Sequence, residues 1–168
     1  MTPDFVIRLR ERVGSDHLLW LPGVNAVVRD GEGRVLLHRR SDTGEWSLLS
    51  GILDPGEEPA DAVVREVFEE TGVRVVVERL AGVTVSPRVR HPNGDRAQYL
   101  ELVFACLPAG AGQAARVNDD ESVEVGWFDP DGLPPVRDSV RERIALARSG
   151  RERAWFTPPG AAAADGGG

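Results

Sequence analysis

Three glutamates, Glu66, Glu69 and Glu70, stand at i, i+3 and i+4 within GILDPGEEPADAVVREVFEETGV, residues 51–73. On a helix they fall within roughly a 100° arc, and Glu66 and Glu70 stack one turn apart. Carboxylates so close repel one another and weaken an isolated helix. A hard divalent cation reverses the sign, because Mg2+ takes oxygen ligands and bridges protein carboxylates to phosphates. These residue types therefore suit metal-assisted cleavage of a phosphoanhydride. Arg65 precedes Glu69 by four residues and can hold it, and Glu57 is a second partner for Arg65. Gly51 has no side chain, so its carbonyl can approach a metal closely. A solvated acidic face explains most isolated E-x-x-E-E strings. It does not explain the whole spacing found here, G-x5-E-x7-R-E-V-x-E-E-x-G-V.

The elements that must position these residues are legible around them. Pro59 suits a first helical turn, where a missing N–H costs nothing. Ala60, Ala62, Val63, Val67 and Phe68 then form an apolar stripe at helical spacing, and Gly72 is a C-cap. Asp54-Pro55-Gly56 is a turn. Residues 4–13 predict a short amphipathic helix, and residues 18–21 a short strand. Residues 24–29 and 34–39 flank Asp30-Gly31-Glu32-Gly33, which predicts a hairpin. Residues 46–49 and 73–80 read as strands. Residues 83–89 and 98–107 read as a second hairpin, turning at Pro92-Asn93-Gly94-Asp95. A strand over 121–128 and a helix over 138–148 follow, with Asp138 as N-cap. This order suits a mixed sheet covered by helices on two faces. No G-x-G-x-x-G follows a strand, which argues against a dinucleotide fold.

At Gly51, Glu57, Arg65, Glu66, Val67, Glu69, Glu70, Gly72 and Val73 the chain resembles the Nudix hydrolase family, whose signature it matches in full. The family often has a double glycine at the start of this motif, where this chain has Ser50-Gly51. The resemblance implies an α/β (α+β) fold, an α/β/α sandwich with a central mixed β-sheet. It divides the chain into an N-terminal segment (1–20), the hydrolase domain (21–156) and a disordered Pro/Ala/Gly tail (157–168). It implies Mg2+ or Mn2+ held by Glu66, Glu69, Glu70 and the Gly51 carbonyl, with Arg65 and Glu57 as a brace. An acidic residue on a loop beyond the motif would complete the site or act as general base. Glu121 is the first choice and Asp120 the second, both in Asn118-Asp119-Asp120-Glu121. The implied activity is hydrolysis of a nucleoside diphosphate linked to another group, with ADP-ribose favoured among nucleotide sugars and alcohols. The alternatives are a nucleoside triphosphate pyrophosphohydrolase of the sanitising type and a non-enzymatic nucleotide sensor. A sensor would be expected to lose motif carboxylates, and all are present. Family members are frequently homodimers.

Trp46 and Tyr99 could stack on a base. Arg39 and Arg88 are the favoured phosphate contacts among Arg39, Arg40, Arg88, Arg90 and Arg96. A chain of 168 residues is one domain with a real core. All twenty basic residues are arginine, which excludes a P-loop and Schiff-base chemistry. The net charge of −7 argues against duplex nucleic acid as a partner. It does not argue against a phosphorylated small molecule whose charge bound cations offset. No apolar run reaches membrane-spanning length, no secretion signal opens the chain, and Cys106 is the sole cysteine. A cytoplasmic protein is expected.

Overall fold

Valine-rich segments buried on both sides build the centre of the molecule. The structure, a computed structural model, describes residues 2–160. Strand β1 (Leu19–Val28) runs parallel to β7 (Arg96–Pro108), in register from Leu19↔Ala97 to Val28↔Cys106. On its other side β1 pairs antiparallel with β4 (Leu49–Ile52), aligning Val24 with Gly51. Strand β5 (Val75–Val85) lies antiparallel to the far edge of β7. The short β9 (Trp155–Phe156) then pairs in parallel with β5, and β6 (Val89–Arg90) folds back on β7. The result is a mixed sheet of order β4-β1-β7-β5-β9.

Helices cover both faces of that sheet. Successive residues of a strand point to opposite faces. Accordingly Val24, Ala26, Val28, Phe104 and Cys106 meet Ala62, Val63 and Val67 of α2 (Pro59–Thr71) in one buried cluster. Val27, Val103 and Ala105 meet Val140, Ile144 and Ala147 of α3 (Asp138–Arg148) in another. Burying each side chain of this size contributes about 1.5–3 kcal/mol, which is what fixes α2 against the sheet. A third, smaller cluster joins Val6 of α1 (Asp4–Val13) to Leu19 and Leu21, with Phe5, Ile52 and Tyr99 packed on it.

The first hairpin expectation is corrected. The chain does reverse at Asp30–Gly33, where Gly33 N–H donates to Asp30 O (3.0 Å) and Asp30 N–H to Arg34 O (3.0 Å). Beyond a single bridge, Arg29 to Val35, the two arms part. Strand β2 (Val35–Arg40) instead joins β3 (Trp46–Ser47) and β8 (Ser122–Phe128) in a separate antiparallel sheet. Val35, Leu36, Leu37 and His38 are all buried, so β2 carries no polar face to mark a neighbour. Three further boundaries differ. The segments around 18–21 and 24–29 are one strand through Pro22, which stands just past the end of pairing with β4. Most of 73–80 and the start of 83–89 are joined as the single strand β5, which ends at Val85. Asp138 is inside the first turn of α3, and Arg137 is the extended N-cap without a side-chain bond. Residues 161–168 of the expected tail lie outside the described residues. No described helix is long and apolar enough to cross a membrane.

Candidate active site

Helix α2 begins at Pro59 and ends at Gly72, which takes the left-handed conformation (φ 69°) and donates its N–H to Phe68 O. Its apolar stripe faces the sheet, and that orientation carries Glu66 and Glu70 inward beside β4. Glu69 stays at the surface. Arg65 is the hub of the outer carboxylates. Its Nε and Nη2 donate to the two oxygens of Glu57 (2.8 and 2.9 Å), and its Nη1 to Glu66 Oε1 (2.8 Å) and Glu69 Oε2 (3.1 Å). Glu57 Oε2 also accepts the Asp54 N–H (3.1 Å), closing the turn before the helix. Arg65 holds the Glu57 carboxyl below its ordinary value, and Glu57 raises the Arg65 guanidinium in return.

Gly51 is where a side chain cannot fit. A Cβ there would lie 1.9 Å from Glu66 Oε1 and 2.0 Å from its carboxyl carbon. The Glu66 carboxylate occupies the volume a side chain would fill.

Glu70 is the most enclosed acid, 1% exposed. Its Oε2 accepts the Ser50 N–H (3.2 Å), while the buried Oε1 accepts no hydrogen bond among the described residues. The nearest cationic candidate, His38 Nδ1, is 3.8 Å from Oε1. That imidazole is neutral near pH 7, because burial holds its pKa down to about 4; Ser122 Oγ is 2.8 Å from the same nitrogen. Burial raises the Glu70 carboxyl well above the ordinary value, and the charges of Glu66 and Asp119 raise it further. Burial also raises Glu66, against the pull of Arg65.

An orphaned carboxylate oxygen in low dielectric is costly. Hard oxygen donors, a surplus of negative charge, that unpartnered oxygen and a side-chain-free carbonyl at Gly51 all suit Mg2+ or Mn2+. Among the described residues no three acidic, histidine or cysteine side chains close around one point. The reason is visible: Arg65 draws Glu66 and Glu69 outward while Glu70 turns to Ser50.

The acidic loop reaches the site from behind α2. Asn118 Nδ2 donates to Phe68 O (3.0 Å) and Glu69 O (3.2 Å), and its N–H donates to Glu70 O (3.3 Å). This capping sets half-buried Asp119 within electrostatic reach of Glu70. Burial raises the Asp119 carboxyl, and its Oδ1 accepts the Glu121 N–H (3.1 Å). Glu121, the first choice from sequence, is half-buried, and its carbonyl accepts the Ser41 N–H (2.8 Å). Asp120 is exposed.

The substrate candidates separate. Trp46 packs edge-on against Phe128 (4.8 Å between centroids) beside the α3 core. Arg39 is half-buried and paired with Glu124 (3.0 Å). Arg88 lies in the exposed loop between β5 and β6. Tyr99 is half-buried, its hydroxyl 2.9 Å from His91 Nε2, and its ring and the Gly51 carbonyl both flank Gly23. Arg40 was passed over for Arg39. A bulge between the two re-aims the strand, and the Arg40 charge is felt at Glu70, Tyr99 and His91. Asp42 holds Arg40 with two bonds of 2.8 Å.

Residues 19–149 match the NUDIX domain family. A MutT-like protein of Streptomyces ambofaciens is 41% identical over 129 residues, spanning 77% of this chain and 70% of that protein. The nucleoside triphosphatase NudI of Escherichia fergusonii is 28% identical across 71% of this chain and 89% of its own length. The crystal structure of an ADP-ribose pyrophosphatase of Streptococcus suis aligns with a TM-score of 0.61 at 27% identity, covering 80% of this chain and 96% of that one. With the motif carboxylates gathered at α2 and β4, and the domain matched over most of its length, the chain belongs to the Nudix hydrolase family.

Proposed function

We propose that this Nudix hydrolase cleaves the phosphoanhydride of a nucleoside diphosphate joined to a further group, ADP-ribose first. The observation that carries the reading is the buried Oε1 of Glu70, which accepts no hydrogen bond among the described residues, on a carboxylate held by Ser50 N–H next to Gly51, where the Glu66 carboxylate lies against the backbone. Glu66, Glu69, Glu70 and the Gly51 carbonyl would hold Mg2+ or Mn2+. Such an ion, when bound, neutralises phosphate oxygens and lowers the pKa of a coordinated water.

The chain's own residues supply the rest. Arg65 and Glu57 fix the helix face that presents the carboxylates. Asp119 is our choice to accept the proton of the attacking water, in place of Glu121. Burial raises its basicity, and the Asn118 cap on α2 sets it within electrostatic reach of Glu70. Arg40 would meet the diphosphate, and the Tyr99 ring would flank the base or the terminal group. Attack at one phosphorus breaks the bridging P–O bond and releases a nucleoside monophosphate and a second phosphate ester. The fold and coverage shared with a protein named as an ADP-ribose pyrophosphatase support this choice of substrate.

A second reading, a nucleoside triphosphate pyrophosphohydrolase, is favoured by the similarity to NudI. Product analysis with Mg2+ over ADP-ribose, nucleotide sugars, CDP-alcohols and nucleoside triphosphates decides between them. AMP with ribose 5-phosphate is the expected outcome. Pyrophosphate released from a triphosphate, with ADP-ribose untouched, would establish the second reading instead.

A further inference from the structure

Helix α1 lies outside the residues that match the family domain, yet one of its side chains is tied into the substrate end of the sheet. Arg10 Nη1 donates to the carbonyls of Gly14 (3.2 Å), Ser15 (3.4 Å) and His17 (2.6 Å). Its Nη2 donates to Arg96 O (2.5 Å), and its Nε lies 3.4 Å from Asp95 Oδ1. Arg96 N–H returns a bond to Ser15 O (3.1 Å). A solvated helix arginine spends its donors on water; this one, with its side chain 11% exposed, spends them on the loop that follows its own helix and on the distant Asp95–Arg96 segment.

Asp95 and Arg96 end the turn of the β6–β7 hairpin. His91 N–H donates to Asp95 O (2.8 Å) across that turn, so a fixed Asp95 fixes His91. The His91 ring then meets the Tyr99 hydroxyl at 2.9 Å, edge to face with the ring itself. Tyr99 and the Gly51 carbonyl both neighbour Gly23, where an added Cβ would lie 3.8 Å from the ring and 3.4 Å from that carbonyl. Phe5 and Val6 of α1 pack on the same cluster as Tyr99 and Ile52.

We propose that Arg10 is a positioning residue for substrate: it clamps the β6–β7 hairpin to α1 and so holds Tyr99, through His91, as a wall of the cleft beside Gly51. The substrate arm of this inference rests on the hydrolase reading above; the clamp does not. Replacing Arg10 would release the hairpin and let Tyr99 move, while leaving α2 and its carboxylates in place.

Tyr99 is the only tyrosine of the chain, so 3-fluorotyrosine gives a single 19F resonance that reports it alone. Arg10→Ala and Arg10→Lys would be compared with wild type below their melting temperatures. Lysine keeps the charge and stem packing, so it preserves the fold if alanine does not, but it cannot reach both segments. In both variants the resonance should move toward that of the free amino acid. On the substrate the panel identifies, KM should rise about tenfold with kcat within about threefold. A merely structural role would lower the melting temperature and move neither readout. An unchanged resonance would overturn the clamp, and a shifted resonance with unchanged KM would overturn its role toward substrate. If nothing turns over, the hydrolase reading fails by itself, and the fluorine resonance still decides the clamp.

Discussion

Gly51→Ala separates the stability of this fold from its chemistry. The backbone at Gly51 lies outside the left-handed region, so alanine meets no backbone strain there. The three atoms nearest the alanine Cβ all belong to Glu66: Oε1 at 1.9 Å, the carboxyl carbon at 2.0 Å and Cγ at 2.6 Å. No real Cβ tolerates such distances, so the carboxylate must swing away. It is the end of a flexible side chain, and leaving a favoured rotamer costs about 0.5–1.5 kcal/mol. Part of that is returned, because Glu66 leaves a site whose burial disfavours its charge. Arg65 keeps both bonds to Glu57. The expected loss of stability is therefore about 1 kcal/mol or less. The expected loss of activity is far larger. A catalytic group misplaced by about 1 Å costs about a hundredfold in rate, or about 2.7 kcal/mol of barrier. The assay is steady-state hydrolysis in Mg2+ beside a urea melt of the metal-free protein. A Gly51→Ala enzyme within about threefold of wild-type kcat/KM would refute the placement of Glu66 at the reacting centre.

Other consequences follow from the same charges. Glu70→Gln keeps shape while removing a buried charge, so the metal-free variant should melt higher, by about 1 kcal/mol of added stability; a lower melting point would contradict the burial cost. Glu70 and Glu66 have carboxyls raised above 4.5, so the folded state binds protons that the unfolded state has released. Metal-free stability should accordingly fall as pH rises above 4.5 and through those raised values, and Mg2+ should stabilise more at the upper end. Melting curves across that range, with and without Mg2+, check this, and a pH-independent Mg2+ shift would count against it. Arg65→Lys loses the two-pronged grip on Glu57 and should cost about 1–2 kcal/mol after allowing for partial exposure. Glu57 is held below 4.5, so that contribution is present above 4.5 and lost as pH falls below it. Urea melts of both proteins at neutral and acid pH should show the gap narrowing in acid.

Helix α2 was legible because its signals are local. Pro59, the apolar stripe and Gly72 lie within one stretch of chain, and the structure begins and ends α2 at Pro59 and Thr71. The division into two sheets was not legible. A turn such as Asp30–Gly33 reports that the chain reverses, not which strand each arm will join, and β2 is buried from Val35 to His38. Arg40 stands among the arginine candidates behind Arg39 and Arg88, and the bulge between Arg39 and Arg40 that gives the two different surroundings has no mark in the sequence. Asp119 could not be told from Glu121 within a run of acids. What singles it out is the Asn118 cap on α2, a contact between residues fifty positions apart. Arg10 looks in sequence like any arginine on an amphipathic helix, and only tertiary contact shows its donors on Arg96 and His17.

The central claim is that carboxylates on α2, with a divalent cation, cleave a nucleotide phosphoanhydride. The most direct test is turnover of the panel substrate by wild type and Glu70→Gln, each with Mg2+ and with chelator. The account predicts that chelator abolishes wild-type turnover and that folded Glu70→Gln loses at least about a hundredfold. Turnover that survives the chelator, or that Glu70→Gln leaves intact, would contradict it.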